Sequence, residues 1–171
     1  VKPGSAKGEN YFGEIFKVHI EDESKQLDLI LKAALDNPTF RENLPLRQYY
    51  CREIDGYTTV LPELYKVQLK KNLEKEDRFE FPKCHATNNI EFKEALIIED
   101  ISVKGFQIYD RLISLDLDHA ELAIKYLAKF HATSFALRKN DSVLFDKTIG
   151  FVQKKVDYGI HFDKFLDENK K

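Results

Sequence analysis

The feature that most constrains the fold of this chain is a lysine inside an apolar run, Lys32 within residues 29–35 (Leu-Ile-Leu-Lys-Ala-Ala-Leu). An unpaired ammonium is costly to bury, so such a lysine must either reach water or meet an opposite charge. A lysine on the exposed edge of a sheet is the ordinary explanation. The segments on both sides favour the other one, an ion pair within a folded unit.

Two strands are predicted around this lysine. Residues 4–13 hold three of the seven glycines and form a loop that leads into a strand from Ile15 to Ile20, where apolar and polar residues alternate. The second strand, Leu27 to Leu35, places Lys32 on the face opposite its leucines 27, 29 and 31. A loop of small residues allows backbone N–H groups to approach phosphate oxygens, although an ordinary hairpin explains the glycines as well.

A helix is predicted from about Pro38 to Leu61, and it carries Glu53 with Tyr50 and Tyr57 one turn away on either side. A carboxylate at the border of a buried face needs a cation, because an unpaired charge there is penalised. Lys32 is the candidate partner. The alternative is a glutamate that faces solvent.

The middle of the chain predicts a charged connection and then a hairpin. Residues 69–80 carry mixed charges and are interpreted as a solvated connection. The pair Asn88-Asn89 predicts a turn, since asparagine tolerates positive φ. The strand that follows is apolar and ends in Glu99-Asp100. Backbone groups at such a strand end could pair with the edge of an adenine.

The strongest predicted helix runs from about Asp118 to Leu137, with Asp118 and Glu121 spaced as in a capping box. His131 lies beside its apolar seam and is interpreted as a packing residue rather than a catalytic one. The predicted seam consists of Ala120, Ala123, Leu127, Phe130, Ser134 and Leu137.

Composition excludes several classes of partner. The net charge is −2 and 33% of the 171 residues are charged, so no basic field exists to hold nucleic acid. No apolar run approaches the roughly 20 residues that span a membrane, so no membrane association is predicted, and a cytoplasmic protein is the simplest interpretation. The two cysteines lack the spacing of a zinc site. Because the chain starts with Val1 and has no methionine, it is expected to be a piece of a longer protein.

The order of these segments is that of a kinase small lobe: loop, strand, lysine strand, glutamate helix, and a strand that ends in acids. Together with several local motifs, this order resembles the ecdysteroid kinase-like (CHK kinase-like) family of arthropods, which is grouped with choline kinases and aminoglycoside phosphotransferases. The motifs are Gly8-Glu9-Asn10-Tyr11, Lys32, Arg52-Glu53-Ile54, Tyr57, Val60-Leu61-Pro62, Leu96 to Ile101, Gly105-Phe106, Asp110-Arg111 and residues 127–132.

The resemblance implies an α+β protein-kinase-like fold: an antiparallel-sheet lobe with one packed helix over residues 1–101, then a hinge and the start of a helical lobe over 102–171. Helices at the start of such an incomplete lobe are expected to expose apolar surface. The residues it assigns to ATP binding are Gly8, Glu9, Asn10, Tyr11, Lys32, Glu53, Glu99, Asp100 and Ile101. The loop would cover the phosphates, the lysine would contact them while paired with the glutamate, and the last three would hold adenine through their main chain.

The family's catalytic loop, histidine-glycine-aspartate followed by asparagine, and its metal-binding aspartate are expected beyond this chain. His161-Phe162-Asp163 is rejected as that loop, because phenylalanine stands where the tight turn needs glycine. No catalytic residue and no Mg²⁺ ligand is therefore predicted here.

The leading hypothesis is the N-terminal portion of an ATP-dependent kinase that transfers phosphate to a hydroxyl of an ecdysteroid or similar small molecule. One alternative is a non-catalytic, truncated kinase-like protein with a binding or regulatory role. Another is an unrelated α+β binding domain in which Lys32 and Glu53 never meet.

Overall fold

The computed structural model describes residues 1–4, 12–110 and 112–150. Its contacts divide the chain into two units, and the described residues of Val1–Asp55 and Pro82–Asp100 form the first. Those of Gly56–Phe81 and Ile101–Gln153 form the second. The predicted functional division at residues 101 and 102 stays a prediction.

The first unit is built on a five-stranded antiparallel sheet with the order β1-β2-β3-β5-β4. Together with its helices, it confirms the predicted α+β fold. The strands are β1 (Lys2–Pro3), β2 (Gly13–Glu21), β3 (Gln26–Ala34), β4 (Cys84–Asn88) and β5 (Ala95–Glu99).

The predicted hairpin between β4 and β5 is present, but its turn is not the predicted one. The connection continues past Asn89 to β5, and the residue with positive φ is Phe92, at 65°. Asn88 acts through its side chain instead, accepting a hydrogen bond from the Ile90 N–H at 3.0 Å. Asparagine therefore makes the turn by bonding to the backbone rather than by adopting a left-handed conformation.

The prediction of a single helix from Pro38 to Leu61 is wrong. The first unit contains α1 (Pro38–Asn43) and α2 (Leu46–Asp55) instead. Leu44 between them is extended, with φ −135° and ψ 136°. The cause is Pro45, because a residue that precedes proline is sterically disfavoured in the helical region.

The second unit has a π-helical turn (Gly56–Val60) followed by α3 (Leu61–Lys70), α4 (Leu117–Asn140) and α5 (Ser142–Ile149). Its core is a small cluster of Val60, Leu64, Phe79 and Leu137. Phe79 lies in the segment predicted to be solvated, yet it is 4% exposed. The side-chain amide of Gln68 holds it by bonding to both backbone groups of Phe79, at 2.8 and 3.2 Å.

The long helix α4 begins one residue before the predicted start, and Asp116 caps it instead of Asp118. The Asp116 carboxylate accepts a hydrogen bond from the His119 N–H at 2.9 Å, and this bond lowers the pKa of the carboxyl. The predicted seam is wrong at Ala123 and Leu127, which are both exposed. The residues buried on α4 are Thr133 and Leu137.

The expectation that the later helices expose apolar surface is confirmed. Exposed apolar side chains are frequent from residue 103 to residue 135. They include Val103, Phe106, Ile108, Leu112, Ile113, Leu115, Leu117, Leu122, Ile124, Leu127 and Phe135. Within the described ranges, none of the helices combines the length and the apolar character needed to cross a membrane.

Candidate functional site

The predicted ion pair between Lys32 and Glu53 is present, so the structure rejects the alternative in which these residues never meet. Lys32 Nζ donates a hydrogen bond to Glu53 Oε1, and the two side chains are 27% and 32% exposed. Lys32 lies on β3 opposite Leu96 on β5 and Ile15 on β2. The ammonium is therefore held by a carboxylate on a side chain that is only partly buried.

Helix α2 presents Glu53 because its buried stripe lies next to that residue. Leu46, Tyr50 and Ile54 recur every four residues and are all buried. Tyr50 thus belongs to the buried face itself. Burial raises the pKa of Tyr50 to about 12, and the nearby Glu53 carboxylate adds to the shift. The phenol consequently stays neutral beside the ion pair.

The same helix also contacts the start of β2, where the glycine loop ends. A methyl group placed on Gly13 would lie 2.1 Å from Tyr50 Oη and 2.3 Å from the Ala33 carbonyl oxygen, so only glycine fits there. Next to it, the rings of Phe12 and Tyr49 pack with their centroids 5.4 Å apart. The predicted phosphate-covering residues Gly8, Glu9, Asn10 and Tyr11 lie outside the described residues.

At the end of β5, much of the backbone is already used by the sheet. The Glu99 N–H donates to the Lys83 carbonyl oxygen and the Asp100 N–H donates to the Asp28 carbonyl oxygen, both at 2.9 Å. The Asp100 carboxylate is buried and pairs with Lys17 Nζ at 3.2 Å. Ile101 begins a 3₁₀ turn (Ile101–Lys104). The assignment of Glu99, Asp100 and Ile101 to adenine stays a prediction, and the N–H groups of Glu99 and Asp100 are already bonded within the sheet.

Sequence reasoning missed a buried cluster around Glu94. Its side chain is fully buried and receives two hydrogen bonds from the Arg41 guanidinium, at 2.8 and 3.1 Å. Arg47 adds a third at 3.3 Å. Burial alone would raise the pKa of Glu94, but the hydrogen bonds from Arg41 and Arg47 outweigh it and lower the pKa. No spacing rule could have found this cluster, because the partners lie 53 and 47 residues apart.

Several further predictions can be placed. Asp110 accepts a hydrogen bond from the Leu112 N–H at 2.9 Å, while Arg111, its predicted partner, lies outside the described residues. The segment His161-Phe162-Asp163 also lies outside them. His131 is exposed, and its ring contacts Phe130. Among residues 1–4, 12–110 and 112–150, no three histidine, cysteine or acidic side chains gather closely enough to hold a metal ion.

Comparison with known proteins identifies one family. The model of the ecdysteroid kinase-like family matches residues 7–171, which is nearly the whole chain. A search of curated proteins and a search of solved structures gave no match.

Proposed function

This chain belongs to the ecdysteroid kinase-like family, and we propose that it is the nucleotide-binding portion of an ATP-dependent kinase that phosphorylates a hydroxyl of a small molecule. The observation that carries the proposal is the ion pair between Lys32 and Glu53. In kinases with this arrangement, a lysine on the third strand contacts the phosphates and a helix glutamate holds it.

The residues present fit a polyphosphate. Glu53 Oε1 accepts one hydrogen bond from the Lys32 ammonium, whose three N–H groups allow further bonds to anionic oxygens, and the Lys32 side chain is 27% exposed. Tyr50 and Gly13 bring the start of β2 against α2, the helix that carries Glu53. Adenine would be held by main-chain groups of Glu99, Asp100 and Ile101. The phosphates would be held by main-chain groups of Gly8, Glu9, Asn10 and Tyr11.

Mg²⁺ bound with ATP would supply positive charge that stabilises the transferring phosphoryl group. Among residues 1–4, 12–110 and 112–150, no group of side chains fit to hold the metal ion is found. That its ligands lie outside this chain stays a prediction. The part assigned to this chain is to bind and orient the nucleotide.

We propose an ecdysteroid or a similar hydroxylated small molecule as the acceptor, and the description of the family supports this choice. A nucleic-acid acceptor is disfavoured because the chain has a net charge of −2 with both signs mixed. The proposal places the protein in the cytoplasm, where ATP is available.

The test is calorimetric titration of the 171-residue chain with Mg·ATP at low ionic strength. Lys32→Ala should weaken binding by about tenfold or more, because a charge-assisted contact to phosphate is lost. Glu53→Gln should weaken it less, since the ammonium remains but is no longer fixed.

The matched control is Lys66→Ala. Lys66 pairs with Glu63 at 2.6 Å on α3, so it is also a lysine in an ion pair, but it lies in the second unit. Binding should be unchanged in this variant. Equal affinity for wild type and Lys32→Ala, or no binding by a folded wild-type chain, would contradict the proposal.

A further inference from the structure

The buried cluster around Glu94 has no part in the proposed contacts to ATP. Its central carboxylate is fully buried, and the Arg41 side chain is only 9% exposed. Arg41 binds both carboxylate oxygens with separate nitrogens, at 3.1 and 2.8 Å. Such bidentate pairs have strict geometry, so they fix the relative position of the segments that carry them.

Arg41 also forms a hydrogen bond at the end of β3, the strand that carries Lys32. Its Nε donates to the Leu35 carbonyl oxygen at 2.7 Å, and the Ala34 N–H donates to the backbone carbonyl oxygen of Glu94 at 2.9 Å. The Arg41 guanidinium lies over the Phe92 ring, and its Cζ atom is 4.7 Å from the ring centroid. The end of β3, α1 and the start of β5 are therefore tied together at one point.

Arg47 extends the cluster to the helix that carries Glu53. It lies in the first turn of α2 and donates to Glu94 Oε1 at 3.3 Å and to the Asn89 carbonyl oxygen at 2.9 Å. One end of α2 is thus held to the β4–β5 connection, while Glu53 near the other end meets Lys32.

We propose that Glu94, together with Arg41 and Arg47, is a positioning residue that fixes α2 on the sheet so that Glu53 stays on Lys32. The cluster acts through the ion pair and does not touch the nucleotide. Only its effect on ATP rests on the proposed function, because the effect on the ion pair can be measured without any nucleotide.

If the cluster served stability alone, its charges would not be required at these positions. Replacing a buried ion pair by apolar groups is often neutral for stability, so charge is not needed merely to fill this space. Directional hydrogen bonds are needed if the position of α2 matters. The readout must therefore report on Lys32 specifically and not on unfolding in general.

The experiment is labelling of lysines in the 171-residue chain with an amine-reactive ester, followed by peptide mass spectrometry. Glu53→Gln, which removes the partner of Lys32, sets the upper limit of the Lys32 rate. Glu94→Gln should raise the Lys32 rate about fivefold, towards that limit, because loss of a partly buried ion pair opens the site. Labelling of Lys17 on the neighbouring strand should stay within about twofold, whereas general unfolding would raise both rates.

Two further variants keep the test decisive. Arg47→Gln leaves the pair between Arg41 and Glu94 in place, so it should fold even where Glu94→Gln does not, and it should raise the Lys32 rate about twofold. Asp28→Asn is the control. It removes a carboxylate from β3 that bonds to His19 at 2.7 Å and should leave the Lys32 rate unchanged.

A wild-type Lys32 rate in Arg47→Gln, or in folded Glu94→Gln, would overturn the proposal. The same variants are then titrated with Mg·ATP, and Glu94→Gln should weaken binding as much as Glu53→Gln does. Wild-type chain that binds no Mg·ATP would contradict the proposed function, while the labelling rates would still decide the role of Glu94.

Discussion

The contacts that stabilise the inside of each unit differ between the two units of this chain. In the first, polar contacts join residues that are far apart in the sequence, such as Arg41 with Glu94 and Lys32 with Glu53. In the second, a small cluster of apolar residues forms the core, while many apolar side chains remain exposed. Directional polar contacts fix positions to within a fraction of an ångström, whereas apolar burial is not directional. In the unit with the candidate site, long-range ion pairs therefore add fixed side-chain positions to a buried apolar face.

The difference is clearest in the longest helix. Helix α4 has 24 residues, yet the residues it buries are Thr133 and Leu137. Helix α2 has 10 residues and buries Leu46, Tyr50 and Ile54. Helical stability in proteins comes mainly from packing of an apolar face, so α4 is the less supported of the two within the described residues.

The largest expected effect tests the small core of the second unit. Leu64→Ala should lower the free energy of unfolding by about 4 kcal/mol, because Leu64 is fully buried and its removal leaves a cavity. Ile124→Ala is the control, with a change below about 0.5 kcal/mol expected, since Ile124 is 67% exposed. Urea unfolding followed by circular dichroism measures both. Similar losses in the two variants would mean that α4 is packed on its exposed side as well.

The next effect tests the close packing of the first unit. Gly13→Ala should cost about 3 kcal/mol, because the new methyl group overlaps the Ala33 carbonyl oxygen and Tyr50. Gly56→Ala is the matched control, since nothing lies within 4 Å of a methyl group there. It should leave the free energy of unfolding unchanged or raise it slightly. Thermal unfolding of both variants gives the comparison. A Gly13→Ala protein as stable as wild type would show that β2 and α2 can separate freely.

The third effect is a dependence on pH. Because the pKa of Glu94 is lower in the folded protein than its ordinary value of 4.5, its ion pairs stabilise the fold above that pH. This stability is lost as the pH falls through the lower, folded pKa. Unfolding in urea at pH 6, 4 and 3 should show a steeper acid loss for wild type than for Glu94→Gln. Glu42→Gln, at an exposed position, should keep the wild-type slope.

The smallest effect concerns the exposed apolar residues. Ile124→Ser and Phe135→Ser should change the free energy of unfolding by less than about 0.5 kcal/mol, since both side chains are mostly in water. They should reduce binding of a hydrophobic dye, because less apolar side-chain surface is exposed. Dye fluorescence at equal protein concentration is the measurement. A marked loss of stability would place these side chains in a packed interface.

Much of the sheet could be predicted from the sequence, because alternation of apolar and polar residues reports directly on a strand with one buried face. The same reasoning gave the ion pair, since a lysine in an apolar run and a glutamate beside a buried helix stripe each lack a partner. The break between α1 and α2 at Leu44 was missed, because the helical spacing of apolar residues continues across it. Pro45, the next residue, was the signal for the break.

The rest depends on contacts that local patterns do not encode. Arg41 and Glu94 look like ordinary surface charges, and only the fold brings them together. Phe79 stands at the end of a charged run, so its burial beside Gln68 could not be read from helical periodicity. The start of α4 was misplaced because Asp116 and Asp118 are both suitable caps, and the first of them makes the bond.

The strand order has a consequence for the route by which the first unit folds. The hairpins β2–β3 and β4–β5 each join neighbouring segments, whereas the pairing of β3 with β5 closes a loop of about 60 residues between Ala34 and Ala95. Closing a long loop loses chain entropy before any contact compensates, so non-local pairing slows folding. We expect the two hairpins to form early and the seam between β3 and β5 to form late. Lys32 lies on that seam, so the candidate site would be among the last parts of the unit to be assembled, which φ-value analysis at Leu96 and Leu29 can measure.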